Sequence, residues 1–231
     1  MKKNTTESIS KIKNFLRAHD SRVIKSITLK IPGSNRRIGQ NGIHYLQLSL
    51  QRSKSLLEGY LTTHNKYPLM SILAVRCHFE NTGAIAYFFD MLQKYYENKI
   101  EYKVLDESLQ SLSLGQKIMP GKKKTTPKYS PISVMNMIDK TDKMLKNISP
   151  KVSVFRDLYD ELSEYCHPNF SSMYFYCNNP KYGTFNYTTE AKKGGIIFRH
   201  HLCISTNLFL TMYDNIYEVL SANEELPVIV K

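Results

Sequence analysis

Pro68-Leu69-Met70-Ser71-Ile72-Leu73-Ala74-Val75-Arg76-Cys77-His78-Phe79-Glu80 opens a stretch that runs without another proline to Tyr96. It is too long for a strand, so it predicts the main helix of the fold, over about 68–96. With Arg76 at zero on a wheel turning 100° per residue, Leu69, Ile72, Leu73, Phe79, Gly83 and Tyr87 fall within about 60° of it, and Glu80 about 40° away. Ser71, Cys77, His78 and Asn81 fall on the opposite side. Two opposite charges thus stand in the apolar face. A charge left unpaired there costs several kcal/mol, so each must find a partner. Gly83 beside them admits close approach by another helix.

Working outward, helices are predicted over about 5–18, with Ile9, Ile12, Phe15 and Leu16 on one side, and over 43–63, 100–112, 132–146, 153–167 and 196–222. Residues 22–42 read as irregular or extended, Ile27, Leu29 and Ile31 alternating before Pro32-Gly33. Residues 115–131, with three prolines, two glycines and a lysine run, form a surface loop. The aromatics of 172–189 surround Asn178-Asn179-Pro180-Lys181-Tyr182-Gly183, a hairpin signal with a long turn. The expected fold is mainly α, a helical bundle with one β-hairpin inserted before the last helix. A basic amino-terminal arm with a short helix covers 1–40, and one domain covers 41–231.

The chain has 231 residues, 42% of them apolar and 23% charged, enough to bury a core. Its net charge of +12 is uneven: residues 1–37 carry +8, residues 116–129 carry +5, and the remainder carries −1. The two basic segments offer phosphates or an anionic partner a surface, or are simply solvated lysine. Leu202 to Tyr213, the longest apolar candidate, is too short and too polar to span a membrane, and no apolar segment follows the basic amino terminus. Four cysteines without CxxC spacing imply free thiols in a reducing cytoplasm.

The second polar feature is Leu162-Ser163-Glu164-Tyr165-Cys166-His167-Pro168-Asn169-Phe170. Proline disfavours helical backbone at the residue before it, so His167 is predicted to be the last helical residue or the first outside. Two readings of the polar residues stand side by side. In one, Arg76 and Glu80 are an ion pair that fixes helix register. In the other, they face a cleft with His167: Arg76 binds an anion, Glu80 orients an imidazole, and His167 acts as general acid or base. Cys166, Cys77-His78 and His200-His201 with Cys203 lack zinc-site spacing, and Gly33-Ser34-Asn35-Arg36-Arg37-Ile38-Gly39 lacks the Lys-Ser/Thr ending of a phosphate loop. No metal or cofactor is expected.

Leu73-Ala74-Val75-Arg76-Cys77-His78-Phe79-Glu80, then Pro131 to Lys143, then Leu158-Tyr159-Asp160-Glu161-Leu162-Ser163-Glu164-Tyr165-Cys166-His167-Pro168-Asn169 together resemble the HEPN-like helical proteins of bacteria. The resemblance implies a helical bundle, often dimeric, and in many members a metal-independent ribonuclease of toxin–antitoxin or antiviral defence. Carried to this chain, it implies RNA as substrate, His167 for proton transfer, Arg76 for phosphate, and Glu80 with Asn169 for orientation. Lys122, Lys123 and Lys124 would add substrate contacts. The alternative is a non-catalytic helical module that binds a protein, a nucleotide or nucleic acid. The catalytic pattern of that superfamily, an arginine then four to six residues then a histidine on one helix, is not met by Arg156 and His167. Arg37 and His44 have the spacing, but Gly39 and Gly42 argue against one continuous helix there.

Overall fold

The computed structural model describes residues 2–28, 37–115, 128–148, 154–168, 172, 175, 177–181, 184–187, 198–224 and 226–230. Among them are α1 (Lys2–Asp20), β1 (Ser26–Thr28), α2 (Ile38–Thr63), α3 (Pro68–Tyr96), α4 (Tyr102–Leu114), α5 (Val134–Ile148), α6 (Phe155–Cys166), β2 (Cys177–Lys181), β3 (Thr184–Tyr187), α7 (Arg199–Asn223) and β4 (Val228–Val230). The fold is mainly α. The antiparallel β2–β3 hairpin stands before the last helix, where the aromatic and turn residues put it.

α3 is the central element, packed by α2, α4, α5, α6 and α7. It begins on Pro68, whose missing N–H falls where no helical bond exists, and the chain turns out at Glu97 and Asn98, a non-glycine residue at φ 58°. α2 and α3 run antiparallel, since the Asn81 amide donates to the Ser49 carbonyl while Ile85, Phe88 and Leu92 share a cluster with Ile38, Leu46 and Leu50. A Cβ on Gly83 would stand 3.3 Å from Ile138 Cδ1 and 3.5 Å from the Met137 carbonyl carbon, so the glycine is where α5 closes on α3.

Two apolar clusters make the core. One joins the first half of α2, the second half of α3, α4 and the second half of α7 around Leu46, Phe88, Leu105 and Phe209. The other joins the second half of α2, the first half of α3, α6 and the start of α7 around Tyr60, Phe79, Phe155 and Leu202. Ile12 of α1 is fully buried in this second cluster. Past α1, Arg22 grips Asp214 of α7 through two bonds of 2.7 and 2.6 Å, and Lys54 of α2 pairs with Asp20 at 2.6 Å.

Two expectations need correction. α2 begins at Ile38, not Ile43, and runs through Gly39 and Gly42 with Arg37 as its N-cap. Packing outweighs the poor helix preference of glycine here, because a Cβ on Gly42 would come within 2.8 Å of Leu220 Cδ1 and 3.2 Å of Phe88 Cζ. Second, Ser71, His78 and Asn81 of α3 are buried although the wheel turned them away from the apolar face. α2 and α7 cover this side of α3: the Ser53 and Ser205 side chains bond His78, the Ser49 carbonyl accepts from Asn81, and Ser71 donates to the Pro68 carbonyl one turn back. The extended reading around Ile27 holds over Ser26–Thr28, which pairs with Val228–Val230 in a two-stranded sheet, Ile27 opposite Ile229.

Candidate functional site

Arg76 and Glu80 lie one turn apart on α3, where it faces α6. Arg76 Nε stands 3.4 Å from Glu80 Oε1, and Tyr159 of α6 joins them: Arg76 Nη2 donates to the phenol oxygen at 3.2 Å, and the hydroxyl donates to Glu80 Oε1 at 3.1 Å. The guanidinium also lies 5.5 Å from the Tyr159 ring centroid. Both charged side chains remain partly open, 28% exposed for Arg76 and 21% for Glu80. That exposure decides the character of the group: neither a sealed ion pair nor a free surface pair, it is a fixed cation at the protein's edge. Burial works against the Arg76 charge, but the Tyr159 hydroxyl and the Glu80 carboxylate outweigh it and hold the guanidinium above its ordinary pKa. Burial likewise pushes the Tyr159 phenol up.

Two thiols flank the cation. Cys77 follows Arg76 on α3, and Cys166, the last residue of α6, lies against the guanidinium. Burial raises the pKa of both, with Arg76 opposing the rise at each. They are poor nucleophiles.

His167 caps α6 as Pro168 requires, with extended backbone at φ −83° and ψ 152°. Its N–H donates to the Ser163 carbonyl, its own carbonyl accepts from the Ser172 hydroxyl, and the residue is exposed. The capping geometry thus places His167 one residue beyond the cysteine that touches Arg76. Among the described residues no hydrogen bond joins the imidazole to Arg76 or Glu80. Asn169, Lys122, Lys123 and Lys124 lie outside the described residues. Among those described, no group of three or more His, Cys, Asp or Glu is placed to hold a metal ion, and no helix is long and apolar enough to cross a membrane.

Arg37, the N-cap of α2 with non-helical backbone, and His44, in its second turn, are both exposed. One turn further stand Leu48 and then Arg52, which line a cleft of about 300 Å³ bounded by α2, α3, the end of α4 and the residues leading into α5. Glu80 and Asn81 form part of its wall, so the Arg76 cluster and the cleft adjoin through Glu80.

The sequence reading missed a sealed polar layer between the two apolar clusters. His19 Nδ1 bonds the Phe15 carbonyl at 2.7 Å, and His19 Nε2 bonds Ser53 Oγ at 2.8 Å. Ser53 Oγ bonds His78 Nε2 at 2.7 Å, His78 Nδ1 bonds Ser205 Oγ at 2.8 Å, and Ser205 Oγ bonds Thr82 Oγ1 at 2.9 Å. All five side chains are fully buried. The Phe15 carbonyl can only accept, which puts a proton on His19 Nδ1. With both imidazoles neutral, the Ser53 hydroxyl then donates to His19, His78 carries its proton on Nε2, and Ser205 donates to His78. Burial lowers the pKa of each, that of His78 to about 3. With no route to solvent, this layer is architecture.

Comparison with protein-family models, with curated proteins and with solved structures finds no match to this chain. Its function rests on the residues themselves.

Proposed function

We propose that this chain is an HEPN-like, RNA-directed protein and a metal-independent endoribonuclease of bacterial defence or stress response. The observation that carries the reading is the half-open Arg76, fixed by Glu80 and Tyr159, with exposed His167 one residue past its neighbour Cys166. An arginine held by a carboxylate and a phenol presents its guanidinium to a phosphate with little orienting cost. His167 takes the proton of the RNA 2′-hydroxyl. The 2′-oxygen bonds to phosphorus as the P–O5′ bond breaks, and the departing 5′-oxygen takes a proton from the imidazolium or water. The products are a 2′,3′-cyclic phosphate and a 5′-hydroxyl, and DNA is left intact. Lys122, Lys123 and Lys124 supply a salt-sensitive attraction for the backbone. Members of this class are often dimeric, which suits a homodimer here.

A second placement of the same chemistry rests on Arg37 at the N-cap of α2 and His44 within it, both exposed and at the superfamily's spacing, with α2 unbroken through Gly39 and Gly42. The test is degradation of a mixed RNA pool in EDTA by the wild type, His167→Ala and His44→Ala. Loss in His167→Ala alone supports the Arg76 site, and loss in His44→Ala alone moves it to α2. No cleavage by the wild type as a monomer or a dimer sinks the enzyme reading in favour of a non-catalytic module that binds a protein or nucleic acid.

A further inference from the structure

The cleft beside Glu80 has its own chemistry, which the cleavage site does not use. Glu80 spends Oε1 on Arg76 and Tyr159, so its other oxygen is left for the cleft that the residue lines. Asn81 donates its Nδ2 to the Ser49 carbonyl at 3.0 Å, which leaves its carbonyl oxygen as the group to offer a ligand. Two neighbouring acceptors in one wall select a ligand edge with two neighbouring donors. Leu48, Leu112 and Met137 supply apolar surface around them.

The charge at the rim has the opposite sign. Arg52 is exposed, lines the cleft, flanks the same Cys77 thiol as Glu80, and has no carboxylate partner among the described residues. Gly115 and Pro131 meet at the mouth, where a Cβ on Gly115 would fall 2.7 Å from Pro131 Cα. An anion at the rim joined to a donor-rich planar edge at the wall describes a nucleotide. Among the bases, guanine presents N1–H and the N2 amine side by side. The cleft volume of about 300 Å³ admits one base with its sugar.

We propose that this cleft is a binding site for a guanine nucleotide, the base on Glu80 and Asn81 and the phosphate toward Arg52. The site requires no catalysis and stands whether or not the protein cleaves RNA. The experiment is isothermal titration of the full chain with GMP, AMP and inorganic phosphate. GMP should bind at least about tenfold more tightly than AMP, with phosphate alone much weaker. Ala84→Phe, which fills the cleft from its wall, should abolish GMP binding, and Arg52→Ala should weaken it about tenfold. Circular dichroism checks the fold of each variant, and Arg52→Ala on an exposed face serves if Ala84→Phe does not fold. Equal binding of GMP and AMP, equal binding of GMP and phosphate, GMP affinity unchanged in both variants, or no saturable GMP binding by folded wild type would each overturn the proposal. His167→Ala should retain GMP affinity, so a failure of the ribonuclease reading is told apart from a failure of this one.

Discussion

Acidification should destabilise this protein through His78 before its carboxylates titrate. The unfolded chain binds a proton at His78 near its ordinary pKa of 6.5, whereas burial holds the folded imidazole to about 3. Below 6.5 the unfolded state therefore binds more protons, and stability present at neutral pH is lost as the pH falls toward 3. The loss from His78 alone is about 2 kcal/mol between pH 7.5 and 5.0, at close to 1.4 kcal/mol per pH unit below 6. His19, also lowered by burial, adds a loss of the same sign. Urea denaturation followed by circular dichroism at pH 7.5, 6.5, 5.5 and 5.0 measures it. His78→Met is the control: it removes the titration but strands the Ser205 hydroxyl, so it should cost about 1–3 kcal/mol at pH 7.5 while flattening the slope. An acid slope as steep in His78→Met as in the wild type would refute the assignment, as would a wild-type stability unchanged from pH 7.5 to 5.0.

Other substitutions test the rest of the framework. Gly59 sits within α2 where a Cβ would meet nothing within 4 Å, so Gly59→Ala should stabilise by about 0.5–1 kcal/mol, read in urea. Gly42→Ala gains the same helix preference but overpacks Leu220 and Phe88, which costs about 1–3 kcal/mol, so its midpoint should fall. Arg76→Ala should cost about 1–2 kcal/mol by chemical denaturation, less than the loss for a sealed pair because water reaches both charges. A loss above 4 kcal/mol would mark the pair as core architecture. Cys77 and Cys166 should react slowly with a disulfide reagent at pH 7.5, and Cys166 more slowly still in Arg76→Ala, since that guanidinium is the charge favouring its thiolate.

What was legible in the chain is what depends on near neighbours in sequence. The limits of α3 follow from Pro68 and an uninterrupted apolar period, and the end of α6 follows from Pro168. Gly83 was read as a close approach, and α5 makes it. Arg76 and Glu80 stood out because charges in an apolar face need partners, yet Tyr159 was hidden: it reads as one more aromatic on the apolar side of α6. The polar layer was hidden more deeply. Ser53, His78 and Ser205 lie on three helices, and one-helix periodicity cannot tell a polar face turned to water from one turned to another polar face. The β1–β4 pair joins residues about two hundred apart, with only the β-branched run Val228-Ile229-Val230 as a signal.

α3 thus carries two polar registers with different fates, and the contrast bears on which residues can act. On the side facing α2 and α7, both ring nitrogens of His78 and the Thr82 hydroxyl are spent on hydrogen bonds. Such a row resists sliding, because a shift of α3 by one residue would break its bonds to Ser53 and to Ser205 at once. It separates the two apolar clusters at matching heights on α2, α3 and α7, between Leu50 and Leu57, among His78 to Thr82, and between Cys203 and Phe209. On the side facing α6, the polar groups are few, joined only to one another, and open to water. A rigid helix registered by the first set holds the second set in place at the surface without needing it for stability. Arg76 and Glu80 are therefore free to serve a ligand in a way that His78 is not.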